Sequence, residues 1–258
     1  DCWATHGRQH FVGHAASFVA VNAPIRFALP GFPFKFPSNT TGPLPDYGEL
    51  LALRRLQDFT EQVRAVYAPG AHVSIFSDGR IYADIFHVPD ATVLAYRSKL
   101  RSLLPSPALS FFSLDDFLPP GADPRRTFMD VFTNEGESTT ARIASDPDFA
   151  ETARGFEGFV RRQTAGVDFP SPAARDDHIR RGSMAMMDRN VAYRAFMATF
   201  FGDCIRLSIH PGENKTKFAV TLVGDTNWST PWHHCTLYDS AASSWRLVDL
   251  EEAQRASR

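Results

Sequence analysis

Helix-like and strand-like segments alternate along most of this chain, and strands take over after Cys204. That order constrains the fold more than any other feature, because it points to a mixed α/β sheet flanked by helices, with an antiparallel extension at the C-terminal end. The clearest helix start follows Pro45. There Asp46-x-x-Glu49 is a capping-box pattern, and Leu50, Leu53, Leu56 and Val63 follow at roughly helical spacing until Tyr67-Ala-Pro-Gly70 stops the helix. Residues 72–76 read as a short buried strand and 81–85 as a second one, with Asp78-Gly79 between them as a hairpin signal. Pro89-Asp90 opens a helix to about Leu104. The proline-punctuated stretch 105–121 is expected to form loops around short helices, 123–165 is helical in pieces, and 177–201 is one long helix carrying Met184, Met187, Val191 and Phe196. Strands are expected at 204–210, 217–223, 233–238 and 245–249. Residues 1–30 are mixed and receive no assignment, and Gly31-Phe-Pro-Phe-Lys-Phe-Pro-Ser-Asn39 reads as a loop pinned by prolines. One domain is expected over residues 1–258.

The 27 Lys and Arg against 29 Asp and Glu leave a formal charge of −2, which argues against a nucleic-acid groove as the main business of the chain. No apolar run reaches the length of a membrane span, so no membrane role is expected. Cys2, Cys204 and Cys235 are too few for a disulfide framework, and none forms a Cys-x-x-Cys pair, so neither a disulfide scaffold nor a structural zinc is expected. A cytoplasmic protein fits this composition best. Glycosylation-type sequons at Asn39, Asn214 and Asn227 are close to the number expected by chance.

Several polar groups carry chemistry, and each has a bland reading beside the functional one. Arg206-Leu-Ser-Ile-His210 alternates as a strand does, placing Arg206, Ser208 and His210 on one face, with Lys215 and Lys217 soon after. A cation, a hydroxyl and an imidazole in one row suit a small anionic substrate that needs proton transfer; hydrogen-bonded core residues are the plain alternative. Thr230-Pro-Trp-His-His234 adds His233 and His234, which on a strand would face opposite ways. Lys35 on the stiff aromatic loop either presents a fixed ammonium to an anion or is a solvated loop lysine. Asp46 and Glu49 either do acid/base work or simply cap a helix. Asp78 and Arg80, followed by Asp84, either belong to a hairpin or place a carboxylate at the end of a strand, where open α/β sheets hold ligands. Arg189 and Tyr193, four apart on the long helix, share a face and either reach the pocket or make a surface pair. No metal-ligand pattern accompanies the histidines.

Read together, these segments resemble the isonitrile (isocyanide) synthases, the family that includes enzymes of pyoverdine-cluster and spore-wall dityrosine biosynthesis. The matching pieces are Phe-Pro-Phe-Lys35 with Asn39, Leu-Pro-Asp46-x-x-Glu49, Tyr-x-Pro-Gly70, Ser-Asp-Gly79 with Asp84, Tyr96, and Met187-x-Arg189 with Ala192-Tyr193. Arg-Leu-Ser-Ile-His210, Lys217 and Thr-Pro-Trp-His233 complete the series. The resemblance implies a Rossmann-like fold and conversion of the amino group of an L-amino acid to an isonitrile, with ribulose 5-phosphate as co-substrate and its C2 as the carbon donor. Tyrosine or tryptophan is the implied amino acid, with valine as an aliphatic choice. No metal or redox cofactor is implied, and the implied pathway partner is an Fe/2-oxoglutarate oxygenase.

Residue by residue, the match makes His210, His233, Asp78, Asp84 and Glu49 candidates for proton transfer. Lys35, Arg80, Arg189, Tyr193, Arg206, Ser208, Lys217 and Trp232 become candidates for substrate binding. Three departures stand out: an extra residue before Asn39, His87 in Phe-His-Val-Pro, and a chain that stops at Arg258 where relatives continue, as a fragment or module of a longer polypeptide would. An N-formyl amino acid-forming enzyme of the same fold, or a non-catalytic phosphosugar or amino-acid binding module, are the competing expectations.

Overall fold

The computed structural model describes residues 8–119, 123–133, 138–209, 217–224 and 230–257. In chain order the first half contains α1 (Arg8–Ala20), β1 (Ile25–Pro30), α2 (Tyr47–Val66), β2 (Ala71–Ser77), a one-turn α3 (Gly79–Tyr82), α4 (Asp90–Ser102) and β3 (Leu109–Ser113). Three further helices follow, α5 (Pro124–Phe132), α6 (Thr139–Ser145) and α7 (Pro147–Gln163), and then the thirty-residue α8 (Pro172–Phe201). The C-terminal part holds β4 (Ile205–Ser208), β5 (Phe218–Ala219), the antiparallel pair β6 (Cys235–Asp239) and β7 (Ser244–Val248), and α9 (Leu250–Ala256).

Five strands form one parallel sheet in the order β3-β2-β1-β4-β5, and β6-β7 is a separate two-stranded ribbon. A parallel sheet needs helical crossovers and buries both faces, so its strands read as apolar runs. Side chains of Phe27, Leu29, Val73, Ile75, Leu109, Phe111, Ile205 and Leu207 point to one face, where they join Leu53 and Leu56 of α2 and Leu100 of α4. Ala28 and Phe76 point to the other, against Ala192, Tyr193, Phe196 and Met197 of α8 and Phe128 and Phe132 of α5. Winding therefore runs β1-β2-β3 on one side and reverses through α8 to β4. The reversal lies between β1 and β4, the place where open sheets of this kind form a ligand crevice at the carboxyl ends of the strands.

Local chemistry sets the helix starts. Asp46 accepts from the Gly48 N–H at 2.7 Å while Glu49 accepts from the Asp46 N–H at 2.9 Å, so the expected capping box is formed. Asp123, Asp146 and Ser171 cap α5, α7 and α8, each followed by proline in the first turn.

Several local expectations are corrected. Residues 81–85 are not a strand and Asp78-Gly79 is not a hairpin turn. Residues 79–82 are α3 and 83–86 a 3-10 turn, because the next strand, β3, runs parallel to β2 and a hairpin cannot join parallel strands. Gly79 is needed for a different reason: a Cβ there would sit 2.1 Å from the Pro33 carbonyl oxygen. The stretch expected as loops contains β3, a five-residue edge strand hidden among prolines. The strand expected at 217–223 is only Phe218–Ala219, and that at 233–238 starts at Cys235, because Pro231–His233 forms a 3-10 turn. His233 and His234 therefore do not alternate across a strand. Among the described residues no helix is long and apolar enough to cross a membrane.

Candidate active site

The carboxyl edge of the sheet gathers most of the residues singled out from sequence. Beyond β1, the chain runs through Gly31 and Phe32 to the aromatic loop. Trp232, 2% exposed, lies across this exit: a Cβ on Gly31 would meet its ring at 3.1 Å, and its ring centroid is 4.9 Å from that of Phe32. His233 stacks on Phe36 at 4.4 Å, and its Nδ1 is 2.9 Å from the Thr230 hydroxyl. Phe159 of α7 meets the same imidazole edge-on.

Asp78 stands at the end of β2, immediately before α3. Part of the residue stays open at the surface, yet the protein packed around the carboxyl is dense, and this burial pushes its pKa up to about 6. Its charge is felt by two phenols, Tyr82 of α3 and Tyr193 of α8. Burial, with Asp78 as the second cause, raises both, so both stay neutral donors at neutral pH. The Tyr193 hydroxyl is buried and has no hydrogen-bond partner among the described residues. Tyr193 also interacts with Arg206 of β4, whose Nε is likewise buried without a partner. The register pairs Ala28 with Arg206, so Arg206 and Ser208 lie on the α8 face as their alternation required. Ser208 is buried, and its carbonyl accepts from the Val220 N–H. His210 and Lys215 lie outside the described residues.

Other candidates sit in two internal ion networks. The Lys35 ammonium, 1% exposed, donates to Asp46 Oδ2 at 2.8 Å and the Pro231 carbonyl at 2.7 Å, and lies 2.9 Å from Glu49 Oε2. Glu49 also accepts from the Tyr96 hydroxyl at 3.1 Å, and Asp46 from Thr236 Oγ1 at 3.0 Å. Burial pushes the Glu49 carboxyl up to about 7, against the pull of Lys35. This knot ties the aromatic loop, α2 and the Thr-Pro-Trp-His turn together. In the second network Arg80 meets Asp90 and Asp115, at 3.1 and 3.5 Å. Arg189 grips Asp84 with a two-pronged fork at 2.6 and 2.8 Å and also donates to the Ile81 carbonyl. Burial works against ionisation of Asp84, but Arg189 and Arg125 outweigh it and hold the carboxyl below its usual range.

Lys217, ahead of β5, is different. Burial, then the proximity of Arg206 and Arg194, lowers its pKa, and no carboxylate pairs with it among the described residues. Tyr82 was not singled out from the sequence. Its signal was position, one turn beyond Asp78, which a hairpin reading concealed. No cluster of three or more His, Cys, Asp or Glu with metal-binding geometry occurs among the described residues. Chemically, the edge offers a base near neutrality, two neutral phenol donors and unneutralised cations, a set suited to proton transfer on an anionic substrate.

Comparison with known proteins follows the same lines. The family model described as pyoverdine/dityrosine biosynthesis protein matches residues 15–258. An isocyanide synthase of Aspergillus fumigatus is 31% identical over 96% of this chain, and an L-tryptophan isonitrile synthase of Fischerella ambigua is 29% identical over 86% of it. The chain spans 36% of the fungal relative's length and 73% of the cyanobacterial one's. The crystal structure of the PvcA protein from Pseudomonas aeruginosa superposes with a TM-score of 0.81 at 25% identity, covering 96% of this chain and 84% of that one.

Proposed function

Because the chain belongs to the pyoverdine/dityrosine biosynthesis protein family, we propose that it is an isonitrile synthase, converting the α-amino group of an L-amino acid to an isonitrile with ribulose 5-phosphate as carbon donor. Tyrosine and tryptophan are the favoured amino acids, since relatives are named for L-tryptophan and L-tyrosine, with valine as the aliphatic choice. The single observation that carries this reading is Asp78: a carboxyl poised at about 6 beside two neutral phenols, one of them with a buried, unpartnered hydroxyl.

An L-amino acid meets the enzyme as an ammonium and must lose a proton before its nitrogen attacks the sugar ketone. Asp78, mostly ionised at neutral pH, takes that proton. Condensation then expels water, and the same carboxyl, now protonated, gives the proton to the departing hydroxyl. Tyr193 and Tyr82 donate hydrogen bonds to the oxygen that carries negative charge during attack. Loss of phosphate and carbon–carbon cleavage complete the conversion, with His210 and His233 as the further proton-transfer groups. These steps are proton and anion chemistry, so the reading takes no metal or redox cofactor. An Fe/2-oxoglutarate oxygenase acting on the isonitrile is the pathway partner it calls for, and the cytoplasm is its compartment.

The test is mass spectrometry of products formed from ribulose 5-phosphate and a pool of the twenty amino acids, with the sugar phosphate omitted as control. A sugar-dependent product with one added carbon and no added oxygen is expected. A product retaining a carbonyl oxygen would make the enzyme an N-formyl amino acid synthase instead, and ligand binding without any product would make it a binding module. Asp78→Asn is expected to slow turnover by about 100- to 10,000-fold with the melting temperature kept. In the wild-type enzyme kcat/KM should rise with pH through about 6, where Asp78 ionises.

A further inference from the structure

Beside β4, at the sheet edge, lies a groove of about 250 Å3 lined by His10 and His14 of α1, Gly202, Cys204, Arg206 and Lys217. Its lining contains cations and imidazoles but no carboxylate. Asp203, the acidic residue next to this wall, is paired with Arg26, and its backbone carbonyl oxygen lies 3.0 Å from His14 Nε2. Arg206 and Lys217 lie within electrostatic range of each other, and Lys217 also feels Arg194. Neither Arg206 nor Lys217 forms an ion pair among the described residues, and the Arg206 Nε is buried without an acceptor. Gathering like charges at a partly buried site is unfavourable unless an anion answers them.

We propose that this groove is the phosphate subsite of the enzyme, with Arg206 and Lys217 holding the phosphate dianion of the sugar phosphate and Arg194 adding to the field. The assignment rests on the isonitrile synthase reading only for what the phosphate is attached to. Two arguments select phosphate over the amino-acid carboxylate. Adjacent cations overmatch one carboxylate but suit a phosphate group carrying about −1.5 to −2 charges. The other cations singled out from sequence are already neutralised: Lys35 by Asp46 and Glu49, Arg80 by Asp90 and Asp115, and Arg189 by Asp84. Position agrees as well. Tyr193 feels the charges of both Arg206 and Asp78, so one side chain of α8 links the groove to the proposed base.

Calorimetric titration with inorganic phosphate, ribulose 5-phosphate, unphosphorylated ribulose and the amino acid tests this on wild type, Arg206→Met, Lys217→Met and the double variant, each checked by thermal melting. Arg255→Gln, which removes an exposed charge on α9, serves as the control for net charge. The double variant is expected to lose about 100-fold or more in affinity for ribulose 5-phosphate and to lose inorganic phosphate binding. Binding of ribulose and of the amino acid should stay as in wild type, and Arg206→Lys should recover part of the loss. Folded variants that bind phosphate like wild type would overturn the proposal, as would a loss confined to the amino acid. A protein that makes no isonitrile but loses phosphate binding on these substitutions keeps the subsite and loses the activity reading. One that makes isonitrile with an unchanged KM for the sugar phosphate does the reverse.

Discussion

Lys35 is buried and Lys217 half-buried, and both lie near the carboxyl edge or the flank of the same sheet, yet their surroundings are opposite. Lys35 has Asp46, Glu49 and a carbonyl around its ammonium, all within 2.9 Å. Lys217 has Arg206 and Arg194 as its charged neighbours. A buried cation whose charge is answered from within joins chain segments; a cation left facing other cations is built for a ligand. The same rule separates Arg189, locked to Asp84, from Arg206, whose Nε has no acceptor among the described residues. Residue type and motif membership do not distinguish these pairs, since all four fall within the family-like motifs.

Breaking the Lys35 knot should give the largest effect on stability. Lys35→Met leaves Glu49 fully buried beside Asp46 with no cation, so its carboxyl takes up a proton at neutral pH and the knot loses its ion pairs and the ammonium's hydrogen bonds, a cost on the order of 3 kcal/mol. Chemical denaturation is the measurement. Pairing Lys35→Met with Glu49→Leu should restore much of the loss, because the buried polar carboxyl left without its ammonium donor is gone. Equal destabilisation in the single and double variants would assign the role to packing rather than charge. The contrast with Lys217→Met is the sharper reading: that variant should melt close to wild type, having lost a repulsion and no internal partner.

A pH series sharpens the comparison next. Burial raises Glu49 from 4.5 to about 7 in the folded protein, so the folded state holds this proton more tightly than the unfolded chain. The associated stability is fully present below about 4.5 and is lost as pH rises through about 7. Asp78, raised from 3.8 to about 6, acts in the same direction over a lower window. The half-buried His72, whose pKa burial lowers, acts the opposite way, so the difference between Glu49→Gln and wild type is the useful quantity. The variant should gain on wild type as pH rises from 4.5 to 7, and parallel curves would show that Glu49 is not titrating in this range.

How much of this was legible beforehand follows from the range of the interactions involved. The helix at 47–66 was readable because its capping box, apolar spacing and stop are all local. Long-range pairing was not. Asp78-Gly79 carries the local signature of a hairpin, and only the parallel partnership of β2 with β1 and β3 converts it into a strand end followed by α3. Likewise β3 is five residues among prolines and owes its existence to β2. Lys35 with Asp46 and Glu49 could be grouped as a motif, but that they neutralise one another depends on distances no spacing rule supplies. The alternation placing Arg206 and Ser208 on one face was legible because strand geometry is periodic. That this face meets Tyr193 of α8 was not.

Arg80 marks the low end of the scale and tests the rule where redundancy blurs it. Its side chain is largely buried, which on the Lys35 precedent would suggest a large penalty for removal. Its carboxylates, however, have other partners: Asp115 is held by Arg97 at 2.6 Å, and Asp90 by Arg125. Arg80→Met therefore orphans no carboxylate, and both acids keep an exposed side from which water can reach them. The expected cost is about 1 kcal/mol or less by denaturation, with affinity for ribulose 5-phosphate unchanged. A loss as large as that of Lys35→Met would mean that the network acts as one unit rather than as replaceable pairs. A drop in sugar-phosphate affinity would mean that a neutralised arginine still contributes to anion binding, and the distinction between answered and unanswered cations would then fail at its weakest point.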